Sequence, residues 1–128
     1  MRFFHRDVLE NLLKPQSDRC ISIFLPTHRT GRQTRQDPIR LKNLLDDVAD
    51  QLASGGVRTP NIDKLTSAAA RLVDDRDFWQ HQTEGLCLFG ADGHWEHFHL
   101  PYAPPEIASV GSEFQIVPLL LLIAADGL

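Results

Sequence analysis

The 128-residue sequence holds two cysteines, one methionine and one tyrosine, and none of the short motifs that announce a catalytic or metal centre. It has no CxxC pair, no HExxH, no GxSxG and no GxxxxGK[ST]. Those absences exclude a zinc ribbon, a zinc-protease helix, a nucleophile elbow and a P-loop. Cys20 and Cys87 sit in apolar runs and offer no zinc-site spacing. Two buried free thiols in adjacent strands are expected, not a disulfide framework, which needs more cysteines and a secretory context. No cofactor is implied. The chain also lacks an excess of positive charge: 13 Lys and Arg stand against 17 Asp and Glu, for a net charge of −4. A domain that binds nucleic acid through its whole surface is therefore excluded, and only a local basic patch could do so. The longest apolar run, Ile116 to Ala125, falls short of the ~20 residues a membrane span needs. The N-terminus, MRFFHRDVLENLL, has acids inside its apolar pattern and is no signal peptide. A cytoplasmic protein with no membrane partner is the expectation. There is no internal repeat and no low-complexity stretch.

What is present suits one domain. Phe4, Val8, Leu9, Leu12 and Leu13 recur at helical spacing, and Pro15 should stop that helix. CISIFLP, ending at Pro26, is a short β-branched and aromatic run that predicts a buried strand. THRTGRQTRQ has no apolar residue and predicts a long loop. Asp37-Pro38 then opens a helix, with Asp as N-cap and Pro in the first turn. Leu41, Leu44, Leu45, Val48 and Leu52 form its stripe, and Gly55-Gly56 ends it. Thr59-Pro60 opens another by the same logic, with Ile62, Leu65, Ala69, Leu72 and Val73 as its stripe. The short connection makes the two an antiparallel helical hairpin.

After Phe78-Trp79, expected to pack under the sheet, the period becomes extended. GLCLFG, Asp92-Gly93 and HWEHFHLP together predict a β-hairpin. IASV and the region around Phe114 add one or two short extended pieces. The run from Leu119 to Ala124 fits a closing helix or a buried strand equally well. The expected fold is α+β: a mixed or antiparallel sheet of four to five strands, packed against a helical hairpin and a further helix.

Charge is not spread evenly. From Thr27 to Lys42 lie His28, Arg29, Arg32, Arg35, Arg40 and Lys42, with Asp37 as the sole acid. Five cations against one acid give this segment +4, leaving −8 for the rest. A basic loop beside a helix N-terminus suits phosphate contact, because the helix start presents free N–H groups and a loop can adapt to a nucleic-acid backbone. A solvated loop is the plain alternative.

Other polar candidates carry less. His97 and His99 share a strand face with Trp95, and His94 points to the other side. Exposed positions on a hairpin arm are the expectation, with base stacking as the alternative. Asp74, Asp75 and Asp77 lack EF-hand spacing and predict a solvated helix end. His81 has no nucleophile placed beside it by the sequence.

The strings ISIFLPTHRTGRQTRQDPIRLKNLL, DRDFWQHQTEGLCLFGADGHWEHFHLP and EFQIVPLLLLI resemble the bacterial archaeo-eukaryotic release factor family, type three. The resemblance covers about Cys20 to Ile123, and distantly extends to the N-terminal domain of the eukaryotic peptide-chain release factor. It implies that residues 1–128 are one N-domain-like unit of a longer three-domain protein. The peptide-releasing Gly-Gly-Gln belongs to the family's middle domain. Here Gly55-Gly56 is followed by Val57. The classical decoding pattern, Tyr-x-Cys-x-x-x-Phe, aligns with Ala108, Val110 and Phe114, so only the phenylalanine is kept. Gln36-Asp37-Pro38-Ile39 stands where the classical Asn-Ile-Lys-Ser is expected. The resemblance therefore implies a translation-associated domain that contacts ribosomal RNA or tRNA without reading stop codons by the eukaryotic route. Two alternatives belong to other classes: a self-association or protein-binding module using the hairpin edge, and a hydrolase using His28 with Asp37, or His81.

Overall fold

The computed structural model describes residues 6–13 and 19–120. Helix α1 (Arg6–Leu13) precedes strand β1 (Cys20–Pro26), and a single 3-10 turn (Arg32–Arg35) leads into α2 (Asp37–Ser54). Helices α3 (Thr59–Val73) and α4 (Arg76–Gln80) follow. Strands β2 (Gly85–Ala91), β3 (His94–Leu100) and β4 (Ile107–Gly111) then complete the sheet, before a short 3-10 turn (Val117–Leu119). The sheet has four strands in the order β3-β2-β1-β4, and every neighbouring pair is antiparallel. The fold is α+β as expected. No strand forms at Phe114, whose ring instead meets Phe89 edge-on at 5.4 Å. Phe4 and residues 121–124 lie outside the described residues.

The sheet is covered on both faces, which is why its central strands are apolar without alternation. Ile21, Ile23 and Leu25 of β1, with Leu86 and Leu88 of β2, pack against Leu41, Leu44, Leu45, Val48 and Leu52 of α2. Ile62 and Ala69 of α3 and Trp79 of α4 complete that layer, with Leu65, Leu72 and Val73 partly buried at its margin. On the other face Phe24, Cys87, Phe89, Phe98 and Leu100 pack against Val8 and Leu12 of α1, closed by Leu119. Leu13, expected in the α1 stripe, is instead 63% exposed. The helix presents a narrow Val8–Leu12 ridge to the sheet, and Leu13 falls one position past it.

Two glycines fix the hairpin arm. Asp92 and Gly93 both have positive φ, 54° and 86°, the geometry of the tight turn whose twist matches the flanking strands. Gly90 lies directly opposite Trp95 across the β2–β3 ladder. A Cβ at Gly90 would sit 2.5 Å from Trp95 Cε2. The missing side chain lets the indole lie flat on β2 and reach α3, where its Nε1–H donates to the Leu65 carbonyl at 2.8 Å. Gly90→Ala should displace the ring and break that bond, costing about 1–3 kcal/mol. Urea unfolding monitored by tryptophan fluorescence would measure it.

Candidate functional site

The loop after β1 is held from both ends. The Thr27 backbone N–H donates to the Glu84 carbonyl at 3.1 Å, and its hydroxyl donates to the Thr83 carbonyl at 2.8 Å. The far end is pinned by Asp37, which is 1% exposed. Its Oδ2 accepts the His28 backbone N–H at 2.8 Å, and its Oδ1 accepts both His28 Nδ1–H and Arg40 Nη1–H at 2.9 Å. A carboxylate only accepts, so the His28 ring carries a proton on Nδ1. Arg40 also donates through Nη2 to Gln33 Oε1 at 2.9 Å, tying the 3-10 turn to α2.

This corrects the expected role of Asp37. The residue in the N-cap position is Gln36, which makes no side-chain capping bond, and Asp37 is the first residue of the helix. Its carboxylate turns back into the loop. The negative charge still lies at the positive end of the helix dipole. Arg58, not Thr59, takes the same place before α3, also without a side-chain cap.

The six candidate residues divide accordingly. Arg40 is committed to Asp37 and Gln33, and His28 to Asp37. Lys42 lies 3.5 Å from Asp46 one turn along α2, with both groups exposed. Arg29 is 3.7 Å from Glu84, again with both exposed, a pairing worth about 0–1 kcal/mol. Arg32 and Arg35 are exposed and make no ion pair among the described residues.

Arg76, the first residue of α4, joins this group, although it lies 34 positions beyond Lys42 in sequence. Arg29, Arg35 and Arg76 line one cleft of about 720 Å³, together with Thr30, Gln80 and Trp79. Arg35 also lines a second hollow of about 530 Å³ with Gly31, Arg32 and Gln36. No carboxylate lines either one. The nearby acids are turned elsewhere. Asp75 caps α4 by accepting the Phe78 N–H at 3.1 Å, and Asp77 lies 3.7 Å from His81.

The remaining candidates are structural or solvated. His81 Nδ1–H donates to the Asp77 carbonyl at 2.9 Å within its own helix end, and the residue is exposed. His28 and Asp37 do meet, but no nucleophile hydrogen-bonds the His28 ring among the described residues. Both cysteines are free and buried, as expected. Burial pushes the Cys87 thiol far up, so it stays protonated. No group of three or more potential metal ligands forms among the described residues. No helix there is long and apolar enough to cross a membrane.

The β3 histidines depart from expectation. His94 is exposed on the sheet edge, but His97 is only half-exposed, meeting Phe78 edge-on at 5.0 Å. His99 is 5% exposed. With the Trp95 indole bonded to α3, His97 against Phe78 and His99 buried, this face is largely covered by the helices. Ala108 and Val110 likewise turn toward α2. Gln51 of α2 clamps their backbone, donating to the Ala108 carbonyl at 2.8 Å and accepting the Val110 N–H at 3.2 Å.

No protein-family model matches the sequence, and no curated protein does. The fold is similar to a solved structure described as "Archaeal protein", with a TM-score of 0.62 and 18% sequence identity. The match covers 91% of this chain and 34% of that one, so the chain spans about a third of its length. At that identity the likeness concerns the fold alone.

Burial of His99, followed by the like charge of His97, lowers its pKa from the ordinary 6.5 to about 4. The folded protein therefore holds this ring neutral where the unfolded chain would protonate it. Its contribution to stability should be full above pH 6.5, fall as pH drops toward 4, and change no further below that. In denaturant titrations at a series of pH values, His99→Phe should lose less stability between pH 6.5 and 4 than the parent.

Proposed function

We propose that this chain is a translation-associated domain of a bacterial release-factor-like protein, one that contacts ribosomal RNA or tRNA and does not itself catalyse a reaction. The observation that carries this reading is the loop of residues 27–36. It is anchored at both ends by hydrogen bonds to buried groups, and it holds Arg29, Arg32 and Arg35 exposed on a chain whose net charge is −4. A fixed scaffold that displays guanidinium groups is what phosphate contact requires, since less side-chain and loop entropy is lost on binding. The strings that resemble the release-factor family motivate the translation setting. Ala108 and Val110, packed against α2, support a role apart from stop-codon reading by the eukaryotic route. Cytoplasmic residence and membership in a larger three-domain protein belong to the same proposal.

Of the six candidate residues named from the sequence, Arg29, Arg32 and Arg35 make the contacts in this reading. Arg40 and His28 hold the loop in place, and Lys42 lies at its border. In ribosome co-sedimentation, the full-length protein should pellet with ribosomes at low salt and be released as salt rises. Replacing Arg29, Arg32 and Arg35 together by alanine should reduce the pelleted fraction by roughly tenfold or more at intermediate salt. Absence of parent co-sedimentation at every salt concentration would refute the proposal.

A further inference from the structure

We infer that Arg76 completes a binding cleft for the phosphodiester backbone of single-stranded RNA. The strand would run from the cleft formed by Arg29, Arg35 and Arg76 into the adjoining hollow formed by Arg35 and Arg32. This deepens the function proposed above and rests on it for the choice of RNA among polyanions.

The two hollows bring together arginines from two separate stretches of chain: the loop after β1, with its 3-10 turn, and the start of α4. Four guanidinium groups that cannot lose their protons face space lined by no carboxylate. Acids outnumber cations across the chain as a whole, so the segregation is local. Arg32, Arg35 and Arg76 make no ion pair among the described residues, and Arg29 holds its exposed partner only at 3.7 Å. Planar guanidinium forks match phosphate oxygens, and several spaced along a groove match successive phosphates better than one small anion.

The neutral lining fits the same ligand. Thr30 and Gln80 are exposed and can bond phosphate or ribose hydroxyls. The Trp79 indole N–H already donates to the Leu72 carbonyl at 2.7 Å, so the residue presents apolar surface to the cleft. Arg35 is shared by both hollows and would sit at the middle of the track.

The test is fluorescence anisotropy of a short, labelled, single-stranded oligoribonucleotide with the purified chain, across a salt series. The parent should bind with salt-sensitive affinity. Arg76→Ala should weaken binding roughly three- to tenfold at low salt and flatten the log–log salt slope by about 0.7. Arg71→Ala, which removes an equal charge from the exposed face of α3, should leave the slope at the parent value. Arg76→Lys keeps the charge but loses the fork, so affinity should fall with the slope unchanged. That variant also reads the site should Arg76→Ala fail to melt cooperatively.

Absence of RNA binding by the parent, equal effects of the Arg76 and Arg71 alanine variants, or parent-like affinity of Arg76→Lys would each overturn the inference. So would displacement of the RNA by an equimolar mononucleotide. Ribosome co-sedimentation is not a readout of this experiment. RNA binding centred on Arg76 together with failed co-sedimentation would sink the translation setting and leave the cleft standing.

Discussion

A single buried carboxylate organises the basic surface of this protein. Asp37 lies beneath the loop that follows β1, and three donors converge on it: a backbone N–H, an imidazole N–H and a guanidinium. Nearly inaccessible to water, the carboxyl group is tolerable only because those donors replace its lost hydration. The bonds run both ways along the chain. His28 is fixed just after the strand and Arg40 in the first turns of α2, so a polar stretch with little apolar surface of its own acquires one conformation. The exposed arginines are thereby carried on a rigid support.

The sheet supplies the platform beneath. Its two central strands are buried on both faces by separate helical layers, so their ends cannot shift without disturbing a core. Thr27 just after β1 and Thr83 just before β2 share a buried hydrogen bond, which binds the base of the loop to the segment that follows α4. That connection makes Arg76 a neighbour of Arg35 although the two are distant in sequence. The outer strands are managed differently. At β3, exposed His94 and Glu96 put polar groups along the edge, a device that discourages pairing with another sheet. At β4, Gln51 clamps the backbone from α2.

Much of the fold was legible because its signals are local. Asp92-Gly93 between two apolar runs specifies a hairpin on its own, and five leucine and valine positions at helical spacing specify the buried face of α2. The expectations that failed each depended on a partner remote in sequence. Asp37 has the composition of a helix cap, and only the return of His28 across the loop shows that its side chain turns inward. His99 alternates correctly with His97 and Trp95, but its burial depends on helices packed over that face. Leu13 fits a helical stripe whose width is set by the sheet. Arg76 is a different case: it lies in the run of acids where a solvated helix end was expected, and that whole run is indeed exposed. Its place beside Arg29 and Arg35 follows from the fold, because Asp75 is consumed as a cap and the β1 loop folds beside α4.

Amide hydrogen exchange at His28 tests the Asp37 anchor most directly. If the carboxylate pins the loop, the His28 amide should exchange slowly in the parent, as slowly as amides bonded within the sheet. It should become fast in Asp37→Ala, while the amides of Ile23 and Leu88 keep their protection. A His28 amide that exchanges in the parent as quickly as the exposed amide of Arg29, or one indifferent to loss of the carboxylate, would contradict the account.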